Sequence, residues 1–168
     1  SADLKSGRLY VEQMLALLYK RTGRIQEANQ LIKKGIDEAM IKGDTVAVAT
    51  GYNTLTEMLL YWDINREATA CASRGVEWML RGAHFPNVHH PTIAVQLLVN
   101  KGAALEGLGQ NDSAIWCWQQ AAAMAQSLPY NSGMGDVDLH LGALTCKLNN
   151  HPLHAGGRAN LQRAALQG

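Results

Sequence analysis

One arrangement of glycine, alanine and turn-forming residues recurs along this chain, and it constrains the fold more than any other feature. Its clearest copy runs Leu98, Gly102, Leu105, Gly109, Ala114, Trp118 and Ala121. The residues before Gly109 have helical spacing, Gly109 ends that helix, and residues 111–113 favour the start of another. This copy therefore predicts two helices joined by a tight turn, with the second folded back onto the first.

The same offsets recur along the chain. An alanine follows each turn residue by five positions, at Ala28, Ala68, Ala114 and Ala155, with separations of 40, 46 and 41 residues. A repeat of this length is typical of a solenoid, in which helix pairs stack on one another. The expected fold class is all-α, a solenoid of about four antiparallel helix pairs. An irregular helical bundle with coincidental glycines and alanines is the competing interpretation.

The pattern divides the chain into regular segments. Helices are expected near residues 9–21, 25–42, 45–61, 65–81, 92–107, 111–127, 136–149 and 153–166. Residues 1–168 are expected to form a single domain, with repeats at about 9–44, 45–91, 92–135 and 136–168. Longer loops with prolines, at residues 82–91 and 128–135, are expected to act as elbows between pairs.

The repeated residues resemble the tetratricopeptide repeat, which pairs a glycine of the first helix with alanines of the second. The resemblance covers residues 9–166 and implies a right-handed solenoid. Because the usual repeat is about 34 residues long, this chain is more similar to the long-helix variant with a Gly-Asp junction, here Gly43-Asp44. Kinesin light chains and peptide-sensing bacterial regulators contain that variant. The second copy departs from the pattern, because Thr56 and Asp63 replace its two glycines, and its register stays open.

Composition excludes several classes of function. Charged residues make up only 17% of the chain and the net charge is +1, so the basic surface of a nucleic-acid binder is absent from the sequence. No apolar run approaches the length of about 20 residues that a membrane span needs. The three cysteines are odd in number and fall within predicted helices, which favours free thiols and a cytoplasmic location.

The C-terminal segment predicts an amphipathic helix without a polar capping element. Solenoids need such a cap to keep the last repeat soluble. We therefore expect either that the chain is a fragment of a larger protein, or that another chain covers Leu161, Ala165 and Leu166. Self-association through this uncapped end is one form of the second expectation.

The resemblance also implies where a partner binds, because the first helix of each tetratricopeptide pair lines a concave surface. Helical spacing selects the outward positions of these helices: Gln13, Lys20, Arg21, Asn53, Glu57, Tyr61, Gln96, Asn100, His140 and Lys147. Asn53 and Asn100 are the strongest candidates, since an amide can both donate to and accept from an extended ligand backbone. The alternative is that they are ordinary polar residues of amphipathic helices.

Helical spacing separates the tryptophans into core and surface positions. Trp116 and Trp118 point in different directions on one helix, so Trp116 is the candidate surface anchor for a partner. Core packing is expected for Trp62, Trp78 and Trp118. Cys117, which lies between Trp116 and Trp118, is expected to be a small core residue.

The sequence predicts no catalytic or metal site and no cofactor. It lacks a nucleophile elbow, a phosphate loop and a metalloprotease helix. The spacing of its histidines does not bring together the three or four ligands that zinc requires. The favoured function is a protein- or peptide-binding scaffold or regulatory module, on resemblance a part of a bacterial transcription or signalling regulator. The alternatives are a small-ligand sensor domain and a structural oligomerisation spacer.

Overall fold

The computed structural model describes residues 21–81, 91–126 and 142, and this part of the chain is helical without strands. Its helices are α1 (Ile25–Ile41), α2 (Thr45–Tyr61), α3 (Asn65–Leu80), α4 (Pro91–Gly107) and α5 (Asn111–Ala125). The all-α prediction is confirmed for these residues, and each of the five helices ends within two residues of its expected bounds. The helices expected at 9–21, 136–149 and 153–166 fall outside the described residues, apart from Arg21 and Gly142.

The turns that follow α1, α2 and α4 share one backbone conformation. At Gly43, Asp63 and Gly109, φ is positive at 66°, 56° and 74°. After α2, the amide of Ile64 donates to the carbonyl of Leu59 at 2.9 Å, and equivalent bonds close the other two turns. This Schellman arrangement usually ends in glycine, but aspartate is among the residues that tolerate left-handed backbone. Asp63 is therefore the counterpart of Gly109, which fixes the register of the second copy.

The residues after the intrapair turns are also equivalent. Arg24, Ile64 and Gln110 precede α1, α3 and α5 with φ of −86° and ψ of 60° to 63°. Four positions later the three predicted small residues, Ala28, Ala68 and Ala114, are completely buried. The Gly43-Asp44 junction differs, because the Asp44 carboxylate accepts a hydrogen bond from the amide of Ala47 at 2.9 Å. Asp44 is therefore the N-cap of α2.

Packing joins each helix to the next one along the chain, and α2 also packs against α4. One cluster of buried side chains is centred on α1 and α2, and a second is centred on α4 and α5. Trp78 of α3 packs against both clusters, and its ring lies 3.6 Å from the guanidinium carbon of Arg81. The described helices therefore have a core that continues from one pair to the next.

Trp118 fills the space between α4 and α5. Its side chain is fully buried, and the indole Nε1 donates to the carbonyl of Val99 at 3.1 Å. A Cβ at Gly102 would collide with this ring, at 2.6 Å from Cε2. The absence of a side chain at Gly102 therefore makes room for an indole ring rather than for the close approach of two backbones.

The other tryptophans differ in exposure. Trp78 is partly buried and Trp118 is buried, so the core prediction is confirmed for Trp118 and partly for Trp78. It is wrong for Trp62, which is 39% exposed. Trp62 follows the last residue of α2 and packs edge to face on Tyr61, with ring centroids 5.4 Å apart. A residue at a helix end contacts fewer neighbours than one inside the helix, so helical spacing overestimated its burial.

Candidate functional site

An amide–carboxylate ladder crosses from α4 to α2. The side-chain Nδ2 of Asn100 donates to Oδ1 of Asn53 at 2.9 Å, and Nδ2 of Asn53 donates to Oε1 of Glu57 at 2.9 Å. Asn100 also reaches the same Glu57 oxygen at 3.4 Å. The structure therefore brings Asn100 together with Asn53 and Glu57, which lie 47 and 43 positions earlier in the chain.

The members of the ladder differ in exposure. Asn53 is only 7% exposed, Asn100 is half-buried, and the carboxylate of Glu57 is exposed. The burial of Asn53 agrees with the repeat. Ala68 and Ala114 are equivalent positions 46 residues apart, and the same offset makes Asn53 equivalent to Val99, which is also buried. Asn53 thus lies in the contact between α2 and α4 and holds Glu57 and Asn100 in place. The exposed members are the ones able to contact a ligand.

The hydrogen-bonding capacity of the ladder is only partly used. Both recorded contacts of Glu57 go to Oε1, and Asn100 donates without accepting a hydrogen bond within the described residues. Oε2 of Glu57 and Oδ1 of Asn100 are therefore acceptors that a ligand can use. This arrangement favours a ligand that donates N–H groups or carries a positive charge.

The remaining predicted site residues divide into two groups. Arg21, Tyr61 and Gln96 are exposed, and Tyr61 is two helical turns beyond Asn53 on α2. We call the surface formed by Asn53, Glu57, Tyr61, Gln96 and Asn100 the α2–α4 face. Four predicted residues lie outside the described residues: Gln13, Lys20, His140 and Lys147.

The predicted surface anchor is exposed. Trp116 on α5 is 52% exposed, as its position two residues before buried Trp118 indicated. Helix α5 follows α4 and packs against it, so Trp116 does not belong to the α2–α4 face. The ladder and Trp116 are therefore two separate candidate contacts for a partner.

Sequence reasoning missed a groove on the other side of α2. Helices α1 and α3 both pack against α2 but contact each other little, and a cavity of about 380 Å³ lies between them. Its apolar wall includes Leu55 and Leu59 of α2, and Asn29 of α1 also lines it. We call this cavity the α1–α3 groove. Helical periodicity assigned these residues to separate helices. It gave no indication that α1 and α3, each the second helix of its repeat, leave a gap between them.

Charged residues and a thiol complete the α1–α3 groove. Lys33 and Asp37 line it from α1, and Glu67 and Arg74 line it from α3. Burial raises the pKa of the Cys71 thiol, an effect that the nearby positive charges of Lys33 and Arg74 partly offset. A thiol with a raised pKa is a weak nucleophile at neutral pH, so this geometry does not indicate cysteine catalysis.

Metal chemistry has no support within the described helices. The part of the chain that the structure describes contains no group of three or more histidine, cysteine, aspartate or glutamate side chains able to hold a metal ion. The six histidines all lie outside it. No helix among the described residues is both long enough and apolar enough to span a membrane.

The chain was compared with protein-family models, curated proteins and solved structures, and none of the three comparisons found a match.

Proposed function

We propose that this chain is a right-handed, tetratricopeptide-like helical solenoid that binds a protein or peptide segment on its α2–α4 face. Three features support the solenoid: the shared turn conformation, the equivalent buried alanines and the packing of α2 on α4. In this proposal the chain is a module of a larger cytoplasmic protein, such as a bacterial transcription or signalling regulator. It acts by binding rather than by catalysis.

The ladder of Asn53, Asn100 and Glu57 is the observation that carries the proposal. It fixes an exposed carboxylate and an amide carbonyl on two adjacent helices, both with acceptor capacity to spare. An extended peptide offers backbone N–H donors, and a basic side chain offers a charge-assisted bond to Glu57. A peptide with a lysine or arginine is therefore the ligand that suits this face best.

The experiment is selection of a phage-displayed peptide library on the full chain, followed by fluorescence anisotropy of the enriched peptides. Glu57→Gln keeps the size of the side chain and removes its charge. We expect it to weaken binding about tenfold or more, because a hydrogen bond to a charged group contributes about 1.5–3 kcal/mol. Enriched peptides are expected to carry a basic residue.

The matched control is Glu77→Gln, the same change at an exposed position on α3. It is expected to leave peptide affinity unchanged. Equal affinity of the wild type, Glu57→Gln and Glu77→Gln would contradict a binding site at the ladder. Failure to enrich any peptide would favour the oligomerisation spacer, which predicts a molecular mass that rises with concentration in light scattering.

A further inference from the structure

We propose that the α1–α3 groove is a second binding site, for a small zwitterion with an apolar side chain, of the class of free amino acids and dipeptides. This site goes beyond the peptide-binding face proposed above. The two sites use different sides of α2, because Leu55 and Leu59 line the groove whereas Glu57 and Tyr61 belong to the α2–α4 face. Each can therefore be tested without the other.

The size and lining of the groove suit a small ligand. Its volume of about 380 Å³ falls within the range of about 300–1,000 Å³ that is usual for small-molecule sites. Ile36, Tyr52, Leu55 and Leu59 supply an apolar wall. Burial of an apolar side chain against this wall would contribute the non-directional part of the affinity.

A buried acceptor points to a donor on the ligand. Oδ1 of Asn29, a residue that lines the groove, is inaccessible to solvent and has no hydrogen-bond partner among the described residues. Leaving a buried polar atom unpaired is energetically costly, and native structures contain few such atoms. Rotation of the Asn29 side chain would bring this oxygen into the groove, where an amino or amide N–H of a ligand would pair with it.

The exposed charges that line the groove are balanced and, within the described helices, are not paired with one another. Lys33 and Arg74 are positive, Asp37 and Glu67 are negative, and no ion pair within 4.0 Å joins any two of these four within the described helices. A ligand of a single charge would meet a like charge in this set. A ligand that presents both a carboxylate and an ammonium group complements it.

The order of residues along the helices gives the ligand a direction. Two reversals of the chain give α1 and α3 the same direction, so Asn29 and Glu67, each near the start of its helix, lie toward one end of the groove. Lys33 is one helical turn after Asn29 and Arg74 is two turns after Glu67, which places both positive charges farther along the groove. The ammonium group is assigned to the end with Asn29 and Glu67, and the carboxylate to Lys33 and Arg74.

The test is isothermal titration calorimetry of the full chain with the twenty proteinogenic amino acids and with leucyl-leucine. Two derivatives of leucyl-leucine separate the charges: the N-acetyl form lacks the ammonium group, and the C-terminal amide lacks the carboxylate. We expect at least one zwitterion to bind and both derivatives of leucyl-leucine to bind at least tenfold more weakly than the parent. A bound zwitterion should also slow alkylation of Cys71 by iodoacetamide, located by mass spectrometry.

Variants assign the binding to the groove. Arg74→Gln is expected to weaken binding at least tenfold, whereas Arg66→Gln, an exposed arginine of the same helix that does not line the groove, should have no effect. Glu57→Gln should also have no effect, so that failure of the peptide-binding proposal leaves this one intact. Absence of binding by every compound at millimolar concentration overturns the proposal. Equal weakening by Arg74→Gln and Arg66→Gln overturns it as well.

Discussion

The helix pairs α2–α3 and α4–α5 share the same turn but fill the space between their helices in different ways. In α4–α5 the first helix has Gly102, and Trp118 of the second helix occupies the room above it. At the equivalent positions 46 residues earlier, α2 has Thr56 and α3 has Ala72, and both are completely buried. The larger of the two side chains thus comes from the second helix in α4–α5 and from the first helix in α2–α3. Gly102 and Trp118 together are bulkier than Thr56 and Ala72, so the two pairs differ both in the helix that supplies the larger side chain and in how much side chain lies between their helices.

The buried hydrogen-bond donor also comes from the second helix in α4–α5 and from the first helix in α2–α3. The Nε1 of Trp118 donates to the carbonyl of Val99, whereas the Oγ1 of Thr56 donates to the carbonyl of Tyr52 at 2.7 Å. In each pair the buried donor is satisfied by a backbone carbonyl of the first helix. Since a buried donor without a partner is costly, the residue that fills the gap must also have an acceptor within reach.

The largest expected effect comes from removing the indole ring from α4–α5. Trp118→Ala leaves a cavity over Gly102 and should lower the free energy of unfolding by about 3–5 kcal/mol. Urea unfolding followed by circular dichroism measures the change. Trp116→Ala, on the same helix but 52% exposed, is the matched control and should cost less than about 1 kcal/mol. A control that destabilises as much as Trp118→Ala would contradict the assignment of the ring to the core.

The second prediction converts α4–α5 to the arrangement of α2–α3. Gly102→Thr alone should destabilise by about 1–3 kcal/mol, because the new side chain collides with the ring of Trp118. In the Trp118→Ala background the same change fills part of the cavity. The loss in the double variant should therefore be smaller than the sum of the two single losses. Additive losses would mean that the two positions do not share the same space.

The third prediction concerns the turns. Asp63 has φ of 56° where Gly109 has φ of 74°, and glycine adopts this backbone more readily than aspartate. Asp63→Gly should raise the free energy of unfolding by about 0.5–1 kcal/mol, and Gly109→Asp should lower it by a similar amount. Thermal unfolding of both variants measures these changes. The two substitutions should change the free energy of unfolding in opposite directions. If both lowered it, the Asp63 side chain would have to stabilise its turn.

The last prediction needs no substitution and involves no change in stability. Cys71 and Cys117 are equivalent in the repeat, but Cys71 is half-buried in the α1–α3 groove and Cys117 is 1% exposed. Iodoacetamide should modify Cys71 in the folded protein and Cys117 only after unfolding. Burial raises both pKa values above the ordinary thiol value. At a given pH the thiolate fraction of Cys71 is therefore lower than that of free cysteine, so its alkylation should be slower and should accelerate as the pH rises.

Labelling of both thiols at similar rates in the folded state would contradict the burial of Cys117. Alkylation of Cys71 as fast as that of free cysteine at neutral pH would contradict the raised pKa. Mass spectrometry of the digested protein distinguishes the two sites.

Much of the local structure could be predicted from residues that act on their own neighbours. Apolar spacing predicted the five described helices, and the recurring pattern identified Ala28, Ala68 and Ala114, which are completely buried. The exposure of Trp116 followed from its angular distance to Trp118. These features depend on the 3.6-residue helical period and on hydrogen bonds between residues a few positions apart, so they can be predicted from the residue order.

The candidate sites could be predicted only in part. Helical spacing identified Asn53, Glu57 and Asn100 as polar positions, but it treated all three as exposed and gave no reason for them to meet. It placed Trp62 in the core, although its position at a helix end leaves it 39% exposed. The α1–α3 groove had no sequence signal, because a cavity is defined by the distance between helices.

Helical segments, turns and apolar faces could be read from the chain alone, because these properties arise among residues a few positions apart. The packing of the helices was needed to show that Asn100 bonds to Asn53, that Trp118 occupies the room over Gly102, and that the buried oxygen of Asn29 has no hydrogen-bond partner among the described residues. Contacts between helices depend on how far apart and at what angle the helices pack. Side chains from several elements set that distance jointly, and no single stretch of sequence specifies it.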